Sequence, residues 1–133
     1  AGTPSQWFDG RAFDRILLDV PCTASGVVRR HPDAKWRHRA GDVERFAREQ
    51  GRLLEAAWPL LAPGGKLLYA TCSVFDAENE ARAGDFARRH PDALRETLTF
   101  PEGAAHRGGQ LLPSPSGAGH NQDGFYYALL RKR

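Results

Sequence analysis

The 133 residues contain only two cysteines, Cys22 and Cys72. That scarcity excludes a disulfide framework, and it excludes a zinc site built from four cysteines. No Cys-x-x-Cys pair occurs, so a thiol redox protein would lack its usual motif. Apolar runs such as Ile16-Leu17-Leu18 fall far short of the roughly 20 residues that a membrane helix needs. No basic stretch followed by an apolar one opens the chain, so the sequence predicts no secretory signal and a soluble, cytoplasmic protein. With 14 glycines and 9 prolines the chain is too poor in both to be collagen-like or of low complexity. Roughly half of the residues are apolar once glycine is counted, enough to build the core of one average domain.

Charge is modest overall and uneven along the chain. The net value is +3, yet the stretch from Arg29 to Arg39 holds Arg29, Arg30, Lys35, Arg37 and Arg39 against Asp33 alone, with His31 and His38 beside them. Such a segment is either a solvated loop or a patch that contacts phosphates.

Four elements stand out. Phe13 to Val20 is a short apolar run closed by Pro21, which predicts a buried strand with Asp19 at its C-terminal end and Cys22 just beyond. Residues 23 to 39 predict a long basic loop. Asp42 then serves as a helix cap, and Val43, Phe46, Gln50, Leu53, Leu54, Ala57 and Leu61 recur at helical spacing with one polar slip at Gln50. Pro59 should kink or end this helix, and Pro63-Gly64-Gly65 predicts a turn into a second buried strand, Lys66 to Thr71, with Cys72 after it. A second helix is predicted over residues 76–89, with Phe86 and alanines on its inner face. A strand follows over 94–100, then a Gly, Pro and Ser-rich loop over 101–122 with a short extended piece at Leu111-Leu112. A last strand runs over 125–130, apolar on both faces and so expected to be covered on both sides.

Strand, helix, strand and helix in succession predict an α/β domain with right-handed crossovers. If the two apolar strands are parallel neighbours, their ends bring Asp19, Cys22 and Cys72 to one edge, roughly 5 to 10 Å apart. A lone cysteine is more often a small buried hydrophobe, and a disulfide between the two is a third option.

The local words go further. Asp19-Val20-Pro21-Cys22-Thr23-Ala24-Ser25-Gly26, with Arg29-Arg30-His31-Pro32-Asp33 and Lys35-Trp36 after it, resembles the fourth motif of the RNA 5-methylcytosine methyltransferase family. Ala70-Thr71-Cys72-Ser73 with Glu78-Asn79-Glu80 resembles the sixth motif, and Asp123-Gly124-Phe125-Tyr126-Tyr127-Ala128 is similar to the closing strand. The likeness covers the whole chain and is greatest to the family's bacterial ribosomal RNA small subunit methyltransferase B group. It implies a partial Rossmann-like methyltransferase sheet of about four strands, mainly parallel with a C-terminal antiparallel strand, with helices packed on it.

By the same resemblance Cys72 is the nucleophile, Cys22 the general base that releases product, and Asp19 a contact to cytosine that also lies near the methyl donor. The chemistry needs both thiols: carbon 5 of cytosine is a poor nucleophile until a thiolate adds to carbon 6, and the carbon 5 proton must later be removed. In DNA cytosine methyltransferases the Pro-Cys cysteine is the nucleophile; a chain with both words points to RNA. Pro21, Arg29, Arg30, Lys35, Arg37 and Arg39 are the expected RNA contacts, small-subunit ribosomal RNA the expected partner, and S-adenosylmethionine the expected cofactor. No metal and no membrane are expected. Binding that cofactor in this fold uses a Gly-rich turn and acidic strand ends. Apart from Asp19 none is recognisable here, so residues 1–133 are expected to be the C-terminal part of a catalytic domain. The cofactor motif and an N-terminal RNA-binding domain would then lie elsewhere, and this piece alone would be inactive. A non-catalytic RNA-binding or ribosome-assembly module is the alternative.

Overall fold

In the computed structural model, which describes residues 6–33, 36, 39–102, 104, 106–114 and 122–133, the first apolar run forms strand β1 (Phe13–Asp19). Residues 25–27, expected in a loop, form a 3-10 turn, and helix α1 (Asp42–Ala57) lies further along the chain. Its cap is Gly41 in the left-handed region at φ 87°. Asp42 is instead the first helical residue, where its carboxylate accepts from the Arg39 backbone N–H at 2.9 Å and from Arg45. Negative charge in the first turn complements the positive end of the helix. Pro59 ends α1 as expected, with a 3-10 turn over Trp58–Leu60.

Strand β2 (Leu61–Thr71) begins earlier than predicted and absorbs Pro63-Gly64-Gly65. Phe13 pairs with Leu61 and Arg15 with Lys66, so two steps along β1 oppose five along β2. The expected turn is therefore a bulge inside a strand, possible because Gly64 sits at φ 77°. A 3-10 turn over Asp76–Glu78 precedes helix α2 (Glu80–Arg89), which starts later than the predicted residue 76. Strand β3 (Ala93–Glu96) is shorter than predicted. The Gly-rich stretch holds a small hairpin, β4 (His106–Arg107) and β5 (Gln110–Leu111), turned by Gly108 at φ 57°. Strand β6 (Phe125–Lys132) closes the chain.

Among the described residues the sheet has six strands in the order β1-β2-β6-β5-β4, with β3 also paired to β6. β1 and β2 are parallel, whereas β6 runs antiparallel to β2, β3 and β5. The expected count of about four holds for the longer strands, and the hairpin adds two. β1, β2 and β3 share one direction, yet only one pairing is parallel, because β6 inserts against the grain between β2 and β3.

Helices α1 and α2 pack on one face of the sheet. Leu54, Ala57, Ala83 and Phe86 from the helices meet Leu67, Tyr69, Tyr126, Ala128 and Leu130 from the strands. Each leucine and phenylalanine among them contributes about 1.5–3 kcal/mol by leaving water. Trp58 and Phe86 meet edge to face at 5.4 Å. The other face carries the row Leu17, Leu68 and Leu129, with Leu17 69% exposed. The expectation that β6 is covered on both sides is therefore not met: Tyr126, Ala128 and Leu130 are buried, while Phe125, Tyr127 and Leu129 are half-buried.

Candidate active site

Parallel pairing of β1 with β2 aligns Asp19 with Ala70, so the loops leaving both strands start at the same edge. Pro21 turns the first loop and Cys72 begins the second. The two sulfurs lie 3.3 Å apart, and both cysteines are half-buried free thiols. Expectation and structure agree on the convergence of Cys22 and Cys72. Asp19, exposed at the end of β1, shares its row with Ala70 and Tyr127 on the open face of the sheet.

The contact makes the thiols one titrating unit. The hydrogen bond from the Cys72 thiol lowers Cys22 to about 7, against the opposing effect of burial. The Ala24 backbone N–H also favours the Cys22 thiolate. Ala24 is the one non-glycine among the described residues with positive φ, at 54°. A left-handed alanine costs about 1 kcal/mol, and here it accompanies an N–H that stabilises charge on sulfur. The same thiol contact, then burial, pushes Cys72 up. Near neutral pH the pair therefore gives up one proton readily and holds the second.

A buried polar frame holds the two loops. The Glu78 side chain, fully buried, accepts from the Thr23 backbone N–H at 2.9 Å, the Thr23 hydroxyl at 2.6 Å and the Ser73 hydroxyl at 2.5 Å. Gln50, also fully buried, donates from Nε2 to the Pro21 carbonyl at 2.9 Å and to Glu78 at 3.3 Å. Asn79 accepts from the Thr71 hydroxyl at 2.6 Å and donates to the Ser73 carbonyl at 2.8 Å. These inward contacts explain why α2 starts late: the break at Asn79, with φ −115° and ψ −108°, turns Glu78 and Asn79 beneath the strand ends.

A third loop locks onto the first two. Gly26 donates to the Cys72 carbonyl at 2.9 Å and accepts from the Gly124 N–H at 2.8 Å. A Cβ on Gly26 would lie 2.0 Å from the Gly124 carbonyl oxygen. Arg29 and Arg30 both reach Asp123, at 3.0 and 2.6 Å. Asp123 is buried, so its two arginines tie the basic loop to the start of β6. The Arg29 side chain is 38% exposed and that of Arg30 64%, so part of each faces solvent. Pro21 and Arg39 are exposed; Lys35 and Arg37 lie outside the described residues.

Sequence reasoning gave no role to Gln50, Glu78, Asn79, Asp123 or Tyr127. Gln50 was visible as the polar break in an apolar helical stripe. Tyr127 lies beside the site, where burial, then the nearby Asp19 and Cys72, push its phenol up. Among the described residues no group of three or more His, Cys, Asp or Glu side chains could hold a metal ion, and no helix is long and apolar enough to cross a membrane.

The model of the family described as 16S rRNA methyltransferase RsmB/F matches residues 1–131. Ribosomal RNA small subunit methyltransferase B of Erwinia tasmaniensis is 51% identical over 98% of this chain, and that of Shewanella oneidensis 46% over 99%. The chain spans 29% and 30% of those relatives' lengths. Among solved structures, NSun6 from Pyrococcus horikoshii with SFG aligns over 99% of this chain and 33% of its own, at TM-score 0.77 and 30% identity. A methyltransferase homologue from the same organism aligns over the full chain and 43% of its own, at TM-score 0.74 and 28% identity. On these matches, the chain belongs to the 16S rRNA methyltransferase RsmB/F family.

Proposed function

We propose that this chain carries the nucleophile and the general base of an RNA cytosine-5 methyltransferase that acts on small-subunit ribosomal RNA, and that it forms the C-terminal part of that enzyme's catalytic domain. The observation that carries the proposal is the pair of thiols 3.3 Å apart at the ends of two parallel strands. Addition to a base ring and later removal of its proton require one nucleophile and one base within reach of the same ring. Relatives named as ribosomal RNA small subunit methyltransferases support the substrate class.

S-adenosylmethionine, of which SFG is an analogue, supplies an electrophilic methyl group when bound. Asp19 fits it in part, as an exposed carboxylate at the end of β1 that can accept hydrogen bonds from the cofactor or from the cytosine amino group. It is the one cofactor contact we assign to this chain.

The remaining steps belong to the two sulfurs. Cys72 passes its proton to the Cys22 thiolate, and its sulfur bonds to carbon 6 of a cytosine turned out of the RNA stack. The electron pair of the carbon 5–carbon 6 double bond becomes available at carbon 5, where the methyl group is received. Cys22, after losing its proton to solvent, takes the proton from carbon 5. The double bond re-forms, the carbon–sulfur bond breaks, and the Cys72 thiolate returns. Pro21, Arg29, Arg30, Lys35, Arg37 and Arg39 are the RNA contacts in this proposal.

The test uses the full-length protein that carries this chain and an RNA with 5-azacytosine at the target position. The wild type should form a covalent complex that survives denaturing electrophoresis, and Cys72→Ala should not. Trapping that persists in Cys72→Ala would overturn the assignment.

A further inference from the structure

Both cysteine loops rest on the same buried carboxylate, which touches neither sulfur. Glu78 receives only donors: Thr23 N–H and hydroxyl from the loop after β1, the Ser73 hydroxyl from the loop after β2, and the Gln50 amide from α1. Thr23 directly follows Cys22, and Ser73 directly follows Cys72. Gln50 adds a bond to the carbonyl of Pro21, on the other side of Cys22. Its amide orientation follows from these two acceptors, and its Oε1 is left buried with no partner. An apolar side chain at position 50 would suit the helix stripe better. A buried glutamine that leaves one of its own atoms unpaired calls for a reason, and here the reason is the loop it holds.

We propose that Glu78 is the positioning residue of the two-thiol centre: through Thr23 and Ser73 it fixes the separation of Cys22 and Cys72, with Gln50 completing the frame by holding Pro21. This rests on the proposed function for what the sulfurs do, and on geometry alone for what holds them. Positioning at this scale matters, since a displacement of about 1 Å can slow a reaction about a hundredfold.

Two measurements on the full-length protein separate the claims. The first needs no methylation. Oxidised glutathione is added; one thiolate forms a mixed disulfide and releases one glutathione thiolate, and the second cysteine displaces the other to close a Cys22–Cys72 disulfide. Dividing the closure rate by the iodoacetamide alkylation rate at the same pH removes differences in ionisation and leaves the separation of the sulfurs. Glu78→Gln and Gln50→Leu should lower that ratio about tenfold or more. The second measurement is steady-state methylation, in which kcat should fall by a similar factor while KM stays within about twofold. Glu78→Asp, which keeps the carboxyl group on a shorter arm, should restore part of both losses.

If Glu78→Gln fails to fold, Gln50→Leu and Thr23→Val carry the same test, with circular dichroism confirming their fold. Folded variants with an unchanged closure ratio, or with kcat lost at an unchanged ratio, overturn the proposal. A wild type that closes its disulfide rapidly yet neither traps nor methylates RNA would count against the proposed function instead, and would leave the closure comparison to decide the role of Glu78.

Discussion

Replacing Cys72 by alanine should change the chemistry of Cys22 by a predictable amount. The hydrogen bond from Cys72 is the largest cause holding Cys22 at about 7; without it the thiol returns toward the usual value near 8.5. At pH 7 the thiolate fraction then falls from about one half to about 3%, roughly fifteenfold. Alkylation of Cys22 by iodoacetamide, followed against pH by mass spectrometry, reads that fraction directly. Cys72→Ser, whose hydroxyl still donates, should give an intermediate profile.

The same contact makes a stability prediction. Between about pH 7 and 8.5 the folded pair has lost one proton that the unfolded chain still holds, so stability rises with pH. Above about 8.5 the unfolded chain loses both protons while the folded pair keeps its second, because Cys72 is pushed up, and stability falls. The advantage of the wild type over Cys72→Ala should therefore peak near pH 8.5 in urea titrations. An identical alkylation profile in wild type and Cys72→Ala, or a flat stability difference across this range, would refute the coupling.

Three further outcomes follow from the geometry. Gly26→Ala places a Cβ against the Gly124 carbonyl oxygen and should cost about 3 kcal/mol in urea denaturation; a change below about 0.5 would contradict the close approach. Asp123→Asn removes the anion shared by Arg29 and Arg30 and should cost about 1–2 kcal/mol, since both arginines are partly solvated. In the full-length protein it should also steepen the salt dependence of RNA binding, while Arg29→Ala with Arg30→Ala should flatten it and weaken binding; an unchanged slope in both would remove these arginines from the RNA contact. The 133-residue chain alone should bind S-adenosylmethionine too weakly for calorimetry to detect, because one carboxylate contact cannot offset the cost of ordering the ligand; micromolar affinity would reveal contacts beyond Asp19.

Strongly periodic segments were legible in the sequence. α1, β2 and β6 appear near where hydrophobic runs placed them, because one apolar face of each meets the core, whereas β1, expected to be buried, is an edge strand with no buried residue and with Leu17 69% exposed. The two cysteines were legible as a pair for a related reason: parallel neighbours must end at the same edge. Contacts made across long sequence separations were not legible. Nothing local to Arg29 and Arg30 points to Asp123, 94 positions from Arg29. Pro63-Gly64-Gly65 looks like a turn because its residues favour one, and the parallel pairing of β1 and β2 turns it into a bulge. Gln50 read as an error in the helix stripe, whereas its meaning depends on Pro21 and Glu78, which only the folded chain brings beneath it.

The division of labour between the two sulfurs is tested most directly by offering the full-length protein ordinary cytosine RNA and S-adenosylmethionine, with Cys22 replaced by alanine. Addition and methyl transfer can precede the step that needs the base, but release cannot. The Cys22→Ala protein should therefore accumulate a covalent complex with methylated RNA, stable to denaturing electrophoresis, and the Cys22→Ala, Cys72→Ala double variant should form none. Release of methylated RNA by Cys22→Ala at the wild-type rate would contradict the account.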